Sequence, residues 1–158
     1  MKRYLAIYLN DQLAAGVLWR ELARRALRNN RDGELGIALA EVATGIAEDV
    51  ETFNAIMSRL GVRRNPVKVA LAVGAERLGR LKPNGRLVRY SPLSRFIELD
   101  ILAMGIEGKK VLWTSLRDLA GLAGRLPDID FDELIRRAER QRRTLEPCRA
   151  RTGTAALA

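Results

Sequence analysis

Between residues 34 and 60, apolar side chains recur at intervals of three or four residues. This pattern restricts the possible fold class more than any other feature of the sequence. The repeating positions are Leu35, Leu39, Val42, Ile46, Val50, Phe53, Met57 and Leu60. A near-heptad repeat of this kind predicts a long helix that packs at a shallow angle against neighbouring helices. Gly61 marks the expected end of that helix.

Three further long helices are predicted from the same kind of periodicity. The first covers residues 4–29, the third runs from Ser91 to about residue 123, and the last covers residues 130–146. Ser91 precedes a proline and is expected to cap its helix, and Asp32 is positioned to cap the helix that begins near residue 34. The short turn between the first two helices predicts that they are antiparallel neighbours.

The connection between the second and third long helices is itself long, and it contains one shorter helix. Pro66, Pro83 and Pro92 interrupt the regular pattern in this part of the chain. The short helix is amphipathic, and its apolar face comprises Val67, Ala70, Leu71, Gly74, Leu78 and Leu81. Residues 1–147 are therefore expected to form a single helical-bundle domain, with residues 148–158 as a flexible C-terminal tail.

Two antiparallel helix pairs joined by one long crossover resemble the ferritin-like four-helix bundles. The resemblance rests on residues 4–29, 32–60, 91–123 and 130–146, and it is architectural. The fold it implies is all-α: a four-helix ferritin-like bundle with one long crossover containing a short helix. The activity it implies is oxidation or storage of iron at a carboxylate site.

The absence of histidine excludes most metal and nucleophile chemistry for this chain. The sequence of 158 residues contains no histidine and one cysteine, Cys148. Ser-His-Asp and Cys-His catalysis, His-ligated zinc and the Glu-x-x-His motif of di-iron bundles all need imidazole. We therefore expect no catalytic residues, no cofactor and no redox iron centre.

Acidic side chains offer one alternative site. Glu48, Glu51 and Glu107 are the candidate ligands of a carboxylate-only centre, which would suit magnesium, calcium or manganese better than redox iron. Ion pairing of these side chains with arginines on neighbouring helices is the favoured interpretation.

The positive charge of the chain is concentrated in one segment. The formal net charge is +9, and residues 61–95 contain nine basic residues but one acidic residue. A segment of one sign favours an anionic partner such as nucleic acid, acidic lipid or an acidic protein surface. The candidate anion-binding residues are Arg63, Arg64, Lys68, Arg77, Arg80, Lys82, Arg86 and Arg89.

These observations predict a cytoplasmic, non-enzymatic helical scaffold or interaction protein, with a homodimer as its candidate assembly. No transmembrane segment is predicted, because no apolar run reaches the length of a membrane span. Two alternatives remain open. One is a sequence-independent binder of nucleic acid or anionic membrane that uses residues 61–95, and the other is a carboxylate-only metalloprotein.

Overall fold

A computed structural model describes residues 2–79 and 90–158 of the chain. These residues form α1 (Lys2–Asn29), α2 (Gly33–Arg59), α3 (Pro66–Gly79), α4 (Pro92–Thr114), a π-helical turn (Ser115–Leu119), α5 (Leu122–Arg125) and α6 (Phe131–Leu157). Since none of the described residues lies in a strand, the predicted all-α class is confirmed for this part of the chain.

Local sequence signals explain several helix ends. The Oγ of Ser91 caps α4 as predicted, accepting a hydrogen bond from the N–H of Ser94 at 3.0 Å. Gly61 follows α2 with a φ of +66°, a left-handed conformation that favours glycine. Asp32 stands at the N-cap position of α2, but its side chain makes no capping hydrogen bond, so this part of the prediction is wrong.

The four long helices contact one another in a ring. α1 packs against α2 and α4, and α6 packs against the same two helices. Neighbours in this ring are antiparallel: along α4 and α6, for example, Lys109 lies beside Gln141 whereas Asp100 lies beside Arg149. It follows that α2 and α4, which both pack antiparallel to α1, run in the same direction. α3 lies along α1.

The apolar stripe of α2 forms the centre of the core, as its spacing predicts. Six of its members are buried: Leu39, Val42, Ile46, Val50, Phe53 and Met57. The rings of Phe53 and Trp113 pack with their centroids 5.8 Å apart. Leu35 and Leu60, at the ends of the stripe, are only partly buried.

The third long helix is shorter than predicted. α4 ends at Thr114 rather than near residue 123, because the backbone widens into the π-helical turn and the helix is then interrupted at Gly121, whose φ is +61°. Leu116 and Leu122, on the two sides of this interruption, are completely buried. Leu119, which a straight helix would place on the core-facing stripe, is 86 % exposed instead.

The predicted flexible tail at residues 148–158 is wrong, since α6 continues through Pro147 as far as Leu157. Tertiary contacts outweigh the cost of about 3 kcal/mol that a proline imposes inside a helix. Arg149 donates to Asp100 at 2.7 Å, and Gly153 is buried directly against the ring of Phe96. The sequence pattern of α6 does not indicate that the helix continues beyond residue 147, because the contacts that stabilise this part of the helix come from α4.

The short helix α3 turns part of its predicted apolar face to solvent. Val67 and Leu71 are 64 % and 68 % exposed, whereas Val69 and Val73 pack against the core. A surface helix usually directs its apolar face inward, so this exposure leaves apolar area without a partner in the described chain.

None of the helices in residues 2–79 and 90–158 combines the length and the apolar run that a membrane crossing needs.

Candidate functional site

The basic residues of the connection are only partly within the described chain. Arg63 and Arg64 are exposed, and no ion pair to either is present among residues 2–79 and 90–158. Lys68, by contrast, forms an ion pair with Asp11 on α1. Arg77 belongs to α3. The remaining candidates, Arg80, Lys82, Arg86 and Arg89, lie outside the described residues.

The candidate metal ligands do not come together. A carboxylate oxygen of Glu48 lies 3.5 Å from a terminal guanidinium nitrogen of Arg137. A carboxylate oxygen of Glu107 lies 3.6 Å from Nε of Arg142. Glu51 is exposed and borders a shallow surface pocket that it shares with Arg63 and Arg64, at the end of α2. The favoured ion-pair interpretation therefore agrees with the placement of Glu48 and Glu107. In the described part of the chain no three acidic or cysteine side chains are grouped as metal ligands.

A buried ion cluster joins α2, α4 and α6. Asp49 of α2 is 3 % exposed, and it accepts hydrogen bonds from Arg137 Nε at 2.8 Å and from Gln141 Nε2 at 3.1 Å. Lys109 of α4 donates to both Asp49 and Gln141. Burial lowers the pKa of the Lys109 ammonium below its usual value, against the opposing effect of Asp49.

The composition of this cluster does not suit a metal ion. Two cationic side chains and one carboxylate converge, whereas a metal centre needs several anionic or neutral ligands around one cation. Gly45 makes room for the cluster: a Cβ at this position would lie 2.4 Å from Nε2 of Gln141. The small residue on α2 thus allows the amide of α6 to reach the carboxylate of Asp49.

A second buried ion cluster ties α1 to α3 and α4. Arg25 contacts Glu76 at 2.8 Å through one terminal nitrogen and Glu98 at 2.7 Å through Nε. The side chains of Glu76 and Glu98 are only 2 % and 9 % exposed. One guanidinium therefore bridges two buried carboxylates, a geometry that its fixed fork of donors permits.

The second cluster extends to the start of α4 through Tyr90. The hydroxyl of Tyr90 donates to Glu98 at 2.6 Å and accepts from Asn30 Nδ2 at 2.8 Å. Burial and the hydrogen bond to Glu98 raise the pKa of Tyr90 well above its usual value. Arg95 donates to Asn30 Oδ1 at 2.6 Å, so this basic residue is not a free anion-binding group.

An apolar cleft of about 300 Å³ lies between α1 and α4, with side chains of α2 at its base. Its walls include both tryptophans of the chain, together with Phe53, Asp49 and Lys109. The indole N–H of Trp113 is buried and donates to no acceptor within the described residues. No sequence pattern predicts this cleft, because its walls come from three helices that are distant in the sequence.

The fold and these sites define an all-helical protein with two buried ion clusters and one apolar cleft in its described part. Comparisons of the chain with protein-family models, with curated proteins and with solved structures found no match.

Proposed function

We propose that this chain is a non-enzymatic helical interaction protein that forms a homodimer through the outer face of α3. The observation that carries the proposal is the exposure of Val67 and Leu71, 64 % and 68 %, on one side of a helix whose other side is packed. Exposed neighbouring apolar side chains on a protein surface mark interaction sites more often than isolated ones do. Ala70, also exposed, lies between them.

The shape of this face suits a second helix. Large side chains at Val67 and Leu71 stand beside small ones at Ala70 and Gly74, and a Cβ at Gly74 would have no atom within 4 Å. A partner side chain has room above Gly74, and a second copy of α3 supplies the matching large residues. Twofold dimers form through such self-complementary patches, so the same face on two copies is sufficient.

The ferritin-like architecture is part of the same proposal. The ring of antiparallel neighbours and the shared direction of α2 and α4 support two helix pairs joined by one long crossover. In this reading the chain keeps the ferritin-like arrangement of helices without a redox metal centre, and the carboxylate-only alternative lacks the convergence of Glu48, Glu51 and Glu107 that it needs.

We expect Leu71→Glu to weaken homodimerisation by about tenfold or more, since it brings like charges together across a twofold interface. Val111→Glu is the matched control, because Val111 is a 64 % exposed apolar residue on α4, away from α3. Sedimentation velocity over a range of protein concentrations measures the monomer–dimer equilibrium. A wild type that stays monomeric at about 0.1 mM, or equal dimerisation of both variants, contradicts the proposal.

A second candidate function is binding to an anionic surface through the basic connection. The specific observation in its favour is that Arg63 and Arg64 are exposed in the loop before α3 and have no acidic partner in the described chain. Guanidinium groups pair with phosphate in a bidentate manner, and adjacent arginines offer two such contacts.

For this second candidate we expect R63E/R64E to abolish retention on a duplex oligonucleotide and on anionic lipid vesicles at low salt. R28E/R31E is the matched control, with the same change of net charge at two exposed arginines near the end of α1. Wild-type binding should fall steeply between about 50 and 200 mM salt, as counterion release predicts. Equal retention of the two double variants would show that binding follows net charge and not this segment.

A further inference from the structure

Small residues line part of the cleft between α1 and α4, and its mouth lies at Gly108. Ala15 and Gly16 contribute from α1, and Gly108, which is exposed, contributes from α4. A Cβ at Gly108 would meet no atom within 4 Å, so the space beside it is open. Below the mouth the walls are apolar and largely buried, as a pocket for a small organic molecule requires.

The inner wall of this cleft carries a buried ion pair. Asp49 and Lys109 both line it, whereas Arg137, which pairs with Asp49 and with Glu48, lies outside the cleft. The ammonium of Lys109 has three N–H donors, of which two serve Asp49 and Gln141. The third has no acceptor within the described part of the chain.

We propose that this cleft is a binding site for a small, mostly apolar molecule that carries one carboxylate. The apolar body fills the space between the helices beside Trp19 and Phe53, and the carboxylate accepts from Lys109. The ammonium of Lys109 has one N–H to spare, and a carboxylate accepts from an ammonium more strongly than a neutral group does. Trp113 adds a second donor to the cleft wall whose hydrogen bond is unmade in the described chain. α3 contributes no residue to the cleft, so this site is independent of the proposed dimer.

The intrinsic fluorescence of the protein reports on this site directly, because both tryptophans, Trp19 and Trp113, line the cleft. We expect 4-phenylbutyrate to change the emission in a saturable manner. The alcohol 4-phenylbutanol and the amine 4-phenylbutylamine share its apolar body and should bind about tenfold or more weakly, because neither of them can form an ion pair with Lys109. Equal affinity for acid and alcohol, or no saturable change with the acid at about 10 mM, overturns the proposal.

Two variants and one control variant locate the binding. Gly108→Leu fills the open mouth and should reduce the affinity for 4-phenylbutyrate by about tenfold or more, whereas Gly124→Leu, at a second glycine with open space around it, should leave it unchanged. Lys109→Met should bring the affinity for the acid down to that for the alcohol. If Gly108→Leu binds the acid as well as Gly124→Leu does, the molecule lies elsewhere and the assignment is wrong.

Discussion

Replacing Asp49 with Asn is expected to lower the free energy of unfolding by about 3–5 kcal/mol, the usual cost of removing one partner of a buried ion pair. The side chains of Asp49 and Lys109 are only 4 % and 12 % exposed, so the ammonium that remains has little water around it. The amide of Asn keeps the shape of the carboxylate and removes its charge. Urea unfolding followed by circular dichroism measures the difference from wild type.

The loss in D49N should depend on pH in a defined direction. Burial lowers the pKa of Lys109 from 10.5, whereas Asp49 raises it, so removal of Asp49 lowers it further. Between the folded-state pKa and 10.5 the unfolded chain binds more protons at this site than the folded chain does. The free energy of unfolding therefore rises with pH in that window, and the deficit of the variant should shrink between neutral pH and about pH 10.

A double variant separates this charge effect from a general loss of packing. D49N/K109M removes both members of the pair, so it should recover about half or more of the stability that D49N loses. A double variant as unstable as the sum of the two single variants would mean that Asp49 and Lys109 contribute independently. In that case the buried cluster does not explain the stability of this region.

The fold was predictable where a segment carries its own signal. The stripe from Leu39 to Met57 is buried as its spacing predicts, and Ser91 caps α4 because serine before proline favours that geometry. Prediction failed where contacts from another helix decide the outcome. The tail after Pro147 is helical because α4 supplies Asp100 and Phe96, and no pattern within residues 148–158 contains that information.

The candidate sites were harder to predict than the helices. Gln141 interrupts the apolar face of α6, and this was the one local sign of the buried cluster around Asp49. Asp49 itself sits beside Val50 and resembles any acidic residue at the edge of a stripe. Which acidic residues are buried depends on which helices are neighbours, so Glu48, one residue away, is 59 % exposed and Asp49 is buried.

Replacing Arg25 with Met is expected to cost about 3–5 kcal/mol of the free energy of unfolding, because this guanidinium bridges Glu76 and Glu98, both nearly inaccessible to water. Arg24→Met is the matched control at the adjacent position. Arg24 is 47 % exposed and pairs with Glu21 at 3.0 Å, so its loss should cost less than about 1 kcal/mol. Urea unfolding of both variants gives the comparison, and equal losses would contradict a special role for the buried bridge.

The variant Arg25→Lys tests whether charge or geometry is responsible. Lysine keeps the positive charge but concentrates it at one ammonium, whereas Arg25 reaches Glu98 through Nε and Glu76 through a terminal nitrogen. We expect Arg25→Lys to lose about 1–3 kcal/mol, between wild type and Arg25→Met, because one of the two contacts is weakened. A lysine variant as stable as wild type would show that positive charge alone holds α1 to α3 and α4. A lysine variant as unstable as Arg25→Met would show that the guanidinium geometry is indispensable, since a single ammonium in the same place would then contribute nothing to the free energy of unfolding.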